Sequence, residues 1–176
     1  MESLRDRLAQ GDPSAFAELY DACADRVHHA LVVRLGSRAD ADDALQETFL
    51  RLTRTRAKLS GVENLVAYVF TVARNEATRL LETRRRQRTG VDFASVDDLF
   101  VEPCGANNEE AWRDALWAVA ALGRLDPELR ELVELKVYGG LTIREIGQVT
   151  GLPQGTVATR YRRALETMRR MAKEQE

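Results

Sequence analysis

The run from Leu141 to Val157 constrains this chain more than any other part of it. Thr142 and Glu145 stand in capping-box spacing, so a helix is predicted from Thr142 to Val149. Ile143, Ile146 and Val149 recur on one face of that helix, and Gly147 permits close approach of a second one. Gly151, Leu152 and Pro153 make a tight turn, after which a last helix runs from about Gln154 to Met171, anchored by Val157 and Tyr161. The positions left outside are Gln154, Thr156, Thr159, Arg160, Arg162 and Arg163, all short polar or cationic groups. Cap, turn, inward apolar residues and outward arginines together describe a helix-turn-helix. Its second helix suits the major groove, with arginines reading guanine edges or gripping phosphates. The pattern says duplex-binding; it does not distinguish activator, repressor or initiation factor.

The rest of the chain reads as further helices, with no strand period or internal repeat. Leu4 to Gln10 is a short helix ended by Gly11. Asp12 then caps a helix with Pro13 at its first position, running to about Leu35. Phe16, Leu19, Tyr20, Cys23, Val27, Ala30 and Leu31 form its inward face. After Gly36 and Ser37 a third helix spans about Ala39 to Arg54, with Ala41, Leu45, Thr48 and Leu52 on one side. A loop is expected over Lys58 to Asn64, then a fourth helix from Leu65 to about Arg86. Thr89 to Asn108 breaks every period and reads as a linker. Helices resume over Glu109 to Leu122 and, behind the cap Asp126, over Pro127 to Tyr138, closed by Gly139 and Gly140. The expectation is an all-α protein of two small domains joined by a linker.

Charge is segregated more than it is unbalanced. The 26 basic and 28 acidic residues nearly cancel, to −2, so the chain as a whole is no polycation and should bind duplex poorly by itself. Arg74, Arg79, Arg84, Arg85, Arg86 and Arg88 face only Glu76 and Glu82 within their stretch, while Asp40, Asp42, Asp43 and Glu47 stand without a base. One surface suits phosphates and another a protein partner. Cys23 and Cys104 have no metal-ligand spacing and read as ordinary thiols. There is no phosphate loop, zinc signature or nucleophile elbow, and the adjacent His28 and His29 point to different faces of one helix. No enzyme, metal or cofactor is therefore expected. No apolar run is long enough to span a bilayer and Met1 to Asp6 lacks a secretion signal, so a cytoplasmic location is expected.

Three segments carry a family resemblance. Asp40 to Leu50 resembles the polymerase-binding helix of extracytoplasmic-function sigma factors, the small bacterial initiation factors of RNA polymerase. Tyr68 to Asn75, followed by Arg84 to Arg86, is similar to their minus-10-reading helix. Leu125 to Leu132 with the helix-turn-helix resembles their minus-35-reading domain. The likeness covers nearly the whole chain outside the linker and extreme ends. It implies an N-terminal four-helix domain over residues 1–88, a linker over 89–108 and a C-terminal helix-turn-helix domain over 109–176. It further implies that Asp43, Gln46, Glu47 and Leu50 grip the clamp of the polymerase's largest subunit. Lys58, Ser60, Asn64 and Tyr68 would take an unpaired minus-10 base, which needs stacking to replace what it loses. Arg74, Asn75, Arg79, Arg84 and Arg85 would serve the strand backbone, with salt-sensitive phosphate attraction. Gln154, Thr156, Thr159, Arg160, Arg162 and Arg163 would read the minus-35 duplex.

Some positions depart from the pattern. Tyr68 stands where many relatives carry tryptophan, and Ala158 and Leu165 stand where they often carry a base. The linker carries Asp92, Asp97, Asp98 and Glu102 between Phe93 and Phe100. Two readings stay open for it: an inert acidic spacer, or, since the resemblance implies that it threads through the polymerase, a nucleic-acid mimic that lines a basic channel there and in the free protein covers Arg84 to Arg88 or Arg160 to Arg163. The resemblance also implies an anti-sigma regulator. From another class, a stand-alone helix-turn-helix regulator explains the C-terminal domain but leaves Asp40 to Leu50 and the arginine-ended helix as coincidences.

Overall fold

The computed structural model describes residues 3–87 and 117–174. The linker reading and most of the helix expected over Glu109 to Leu122 lie outside those residues. Helix α1 (Leu4–Gln10) starts at Ser3, whose hydroxyl accepts the Asp6 N–H, and ends at Gly11. Helix α2 (Pro13–Leu35) is capped by Asp12 through the Ser14 N–H. Helix α3 (Arg38–Arg54) is capped by Ser37 through the Asp40 N–H. Where a loop was expected, Arg56–Gly61 forms a 3₁₀ turn. Its Leu59 is fully buried, and that contact draws the segment inward against α1. Helix α4 (Leu65–Gln87) begins at Asn64, whose side-chain oxygen accepts the Ala67 N–H at 3.0 Å.

Residues 117–123 are helical, followed by α5 (Pro127–Val133). The Asp126 side chain does not cap α5 as expected; only its carbonyl accepts, from Leu129 and Arg130. The last turn, Glu134–Tyr138, is π-helical, with the Gly139 N–H donating to the Glu134 carbonyl at 3.0 Å. Helices α6 (Ile143–Thr150) and α7 (Gln154–Lys173) form the helix-turn-helix. Gly151, at φ 74°, takes the turn between them. A β-carbon on Gly147 would sit 2.9 Å from the Leu152 carbonyl, so the close approach expected there is to the turn that leads into α7.

Both halves of the capping box exist. The Thr142 hydroxyl accepts the Glu145 N–H at 3.2 Å, and Glu145 Oε2 accepts the Thr142 N–H at 2.8 Å. Thr142→Ala removes one half and should cost about 1 kcal/mol. At this chain length that lowers the melting temperature by about 2–4 °C, measurable by circular dichroism; an unchanged melt would deny the cap any role.

Among the described residues there are no strands. The two halves do not stand apart. One apolar core runs from Leu19, Val27 and Leu52 through Val69 and Phe70 to Leu132, Leu135, Leu141 and Ile146. A second joins Val33 of α2 to Leu122, Leu125, Leu129, Val133 and Ala164. Helix α2 thus contributes to both, and α4 packs against α6. One expectation for α2 fails. Tyr20 is 45% exposed, because it lies at the rim of the α2–α3 seam and rests on Phe49 with ring centroids 4.8 Å apart.

Candidate protein and nucleic-acid interfaces

Helix α3 turns its acidic face to solvent. Asp43, Gln46 and Leu50 are exposed on α3, and Glu47 is half-buried beside Arg54 at 3.1 Å. Their opposite numbers Ala41, Ala44, Leu45, Thr48 and Leu52 fill the core, which fixes the rotation of the helix. Between α2 and α3 runs an open groove of about 510 Å³ lined by Phe16, Tyr20, Leu45, Gln46, Phe49 and Leu50. Leu50 is 41% exposed. The groove is apolar along its floor, with the Asp42 carboxylate and the Gln46 amide in its lining. Asp42, on its edge, holds His28 Nε2 at 2.8 Å and ties the two helices together. Sequence reasoning missed Tyr20 and Phe49 as groove walls, because their spacing also fits a core stripe.

Along α4, Tyr68, Asn75 and Arg79 recur at i, i+7 and i+11 and share a stripe. Asn75 and Arg79 are exposed, whereas Tyr68 is partly buried against the core. Arg79 is steered by Glu76, a buried acid that also takes Arg51 Nε at 2.8 Å. Lys58 and Ser60 are exposed on the 3₁₀ turn. Arg85 is exposed, while Arg84 pairs with Asp40 and donates to the Leu35 carbonyl. Asn64 has a structural task as the cap of α4, and its Nδ2 also donates to Glu145 of α6 at 3.3 Å. Burial alone would raise the Glu145 pKa, but hydrogen bonds from Thr142 and Asn64 outweigh it and hold the carboxyl below its usual range.

Arg74 faces the C-terminal domain. Its Nε and Nη2 donate to the two oxygens of Glu131 at 2.7 and 2.9 Å, and Arg34 Nη1 donates to the same carboxylate at 2.7 Å. Burial opposes ionisation of Glu131, yet the two guanidiniums prevail and lower its pKa. Neighbouring Glu134 behaves the other way. It is almost fully enclosed, and burial pushes its carboxyl up despite Arg130 at 2.7 Å and Arg34 at 3.6 Å. Arg34, Glu131 and Glu145 carry no sequence signal of this role, since partners 57 to 97 residues apart follow no local spacing.

On α7, Gln154, Thr159, Arg162 and Arg163 are exposed opposite the buried Val157 and Ala164. Thr156 is half-buried, and Arg160 pairs with Glu128 at 2.6 Å. The acids found on Arg84 and Arg160 are therefore Asp40 and Glu128; the linker acids proposed for that task lie outside the described residues. Cys23 is buried, donates to the Leu19 carbonyl, and has its thiol pushed up to about 11 by burial. No described helix is long and apolar enough to cross a membrane.

Comparison with known proteins places two families on this frame. Sigma-70 region 2 matches residues 19–88 and Sigma-70 region 4 matches residues 115–168. The chain is 30% identical over 174 residues to the ECF RNA polymerase sigma factor RpoE of Cereibacter sphaeroides, covering 96% of this chain and 91% of that one. It is 29% identical over 175 residues to the ECF RNA polymerase sigma factor BldN of Streptomyces coelicolor; this covers 97% of the chain but only 65% of BldN. Among solved structures, CnrH in complex with the cytosolic domain of CnrY superposes with a TM-score of 0.71 at 22% identity, covering 98% of this chain and 97% of that one.

Proposed function

Because this chain belongs to the extracytoplasmic-function RNA polymerase sigma factors, we propose that its two ends divide the work of promoter opening between them. The N-terminal domain, residues 1–88, docks on core polymerase through Asp43, Gln46, Glu47 and Leu50. The observation that carries this reading is the apolar groove beside those residues, about 510 Å³ and open to solvent, with Leu50 41% exposed in its wall. Lys58, Ser60, Asn64 and Tyr68 receive the melted minus-10 strand, and the arginines of α4 follow its backbone. The C-terminal domain, residues 109–176 beyond the 89–108 linker, reads the minus-35 duplex with Gln154, Thr159, Arg162 and Arg163 at the centre of the exposed face of α7. Thr156 and Arg160 lie on its flank.

The phosphodiester chemistry belongs to the polymerase, and this protein contributes position. Two weak contacts on one tether act cooperatively, so neither needs to be tight. A regulator that covers the Leu50 groove would silence the protein by denying it core enzyme.

Run-off transcription with purified core polymerase on a pool of promoter fragments tests this. The wild type should yield discrete transcripts. Arg163→Ala should reduce them roughly tenfold while leaving core binding intact, because a guanine or phosphate contact contributes about 1–3 kcal/mol. Absence of any core-dependent transcript would overturn the assignment of sites.

A further inference from the structure

Glu131 is held by arginines from two helices of the other domain. Arg74 of α4 forks onto both its oxygens, and Arg34 of α2 reaches one of them. Arg34 Nη2 also lies 3.4 Å from the Thr78 hydroxyl, which donates to the Arg74 carbonyl at 2.8 Å. Thr78 therefore ties the Arg34 guanidinium to the backbone of Arg74. Arg34 Nε is buried with no hydrogen-bond partner among the described residues, so the carboxylate does not use every donor offered.

This is the geometry with which arginine takes a planar or tetrahedral oxyanion. The anion that fills it belongs to a different domain from the groups that build it. Arg34, Arg74 and Thr78 are positioned by α2 and α4; Glu131 arrives on α5. Were the C-terminal domain to leave, Glu131 would go with it, and so would Glu134, whose carboxylate lies 3.6 Å from Arg34; two neighbouring half-buried cations would then lose these counter-charges, which is costly. A second contact has the same form. The Glu145 carboxylate of α6 accepts from Asn64, and Asn64, like Arg74, belongs to the set proposed above to hold the melted strand. Two acids of the C-terminal domain thus land on two residues meant for nucleic acid.

We propose that Arg34, Arg74 and Thr78 form a seat for one backbone phosphodiester of the melted strand, which Glu131 occupies while the two domains are packed together. This rests on the reading of α4 as the strand-binding helix, and it adds Arg34, on a helix given no part in that reading. Packing of the domains and capture of the strand then exclude one another. The free protein keeps its strand-binding arginines satisfied until the C-terminal domain is drawn away to the upstream duplex.

The test is binding of the full-length protein to a short random-sequence labelled single-stranded DNA, followed by anisotropy over a range of salt. Glu131→Gln should raise affinity roughly tenfold, since a charge-assisted fork is replaced by a weak neutral contact. In that background Arg34→Gln should lower affinity roughly tenfold and flatten the slope of log K against log salt by about 0.7, one phosphate's worth on a single strand. Arg34→Lys keeps the charge, should keep the slope, and should lose affinity through loss of the fork. If Arg34→Gln fails to fold by circular dichroism, Arg34→Lys decides: affinity equal to its parent overturns the seat. Unchanged binding by Glu131→Gln overturns the exclusion. Displacement of the strand by inorganic phosphate at matched ionic strength marks a site for free phosphate and overturns the strand assignment. Run-off by the wild type with core enzyme separates the two levels: intact run-off with indifferent Arg34 variants removes the seat alone, whereas absent run-off removes the reading beneath it.

Discussion

Leu50→Asp is expected to cut affinity for core RNA polymerase by roughly thirtyfold while leaving the fold untouched. Leu50 is 41% exposed and shares its groove with Phe16, Tyr20 and Phe49, so it is the apolar projection that a partner would bury. Loss of a central apolar anchor costs about 2 kcal/mol or more, which is roughly a thirtyfold change in a dissociation constant. A new carboxylate adds to this, because Asp42, Asp43 and Glu47 already surround the position. Leu50 lies outside the packed core, so thermal melting should match the wild type. Titration of labelled protein with purified core enzyme reads the affinity directly. Equal binding by both proteins would show that the groove is not the docking surface.

Phe70→Ala should be the most damaging single truncation, costing about 3–5 kcal/mol of a stability that for ordinary proteins totals about 5–15. Phe70 is 2% exposed on α4. The Arg26 guanidinium lies 5.9 Å from its ring centroid and donates Nε to the Gly139 carbonyl at 2.9 Å. A β-carbon on Gly139 would come within 2.9 Å of the ring and 2.6 Å of the Leu135 carbonyl, so the C-terminal domain meets Phe70 with bare backbone. Removing the ring leaves a cavity bounded by both domains. Urea denaturation measures the effect. A cost near 1 kcal/mol would mean that the ring faces solvent on one side and that the domains are not packed together in solution.

Much of the local structure was legible beforehand. Asp12 and Pro13, Thr142 and Glu145, and the glycines at 36 and 151 act through bonds spanning one helical turn, so their spacing alone announces the ends of α2 and α6. The helix-turn-helix and the exposed acids of α3 follow from the same short-range periodicity. Tyr20 was misread because a helical stripe says which residues share a face, and the limit of the neighbouring helix decides which of them are covered. The 3₁₀ turn was missed because burial of Leu59 overrides the turn signal around it.

The amino-acid order by itself determined the helices, most of their caps, the exposed faces of α3 and α7 and the kinship they reveal, because each depends on residues a few positions apart. Only the tertiary structure decided that Glu131 sits between Arg34 and Arg74, that Glu145 meets Asn64, and that Phe70 joins two domains into one core. Those contacts span 57 to 97 residues, and no periodicity reaches that far. What selects them is the cost of leaving a charge or a ring without a partner, and the partner is set by how whole helices pack.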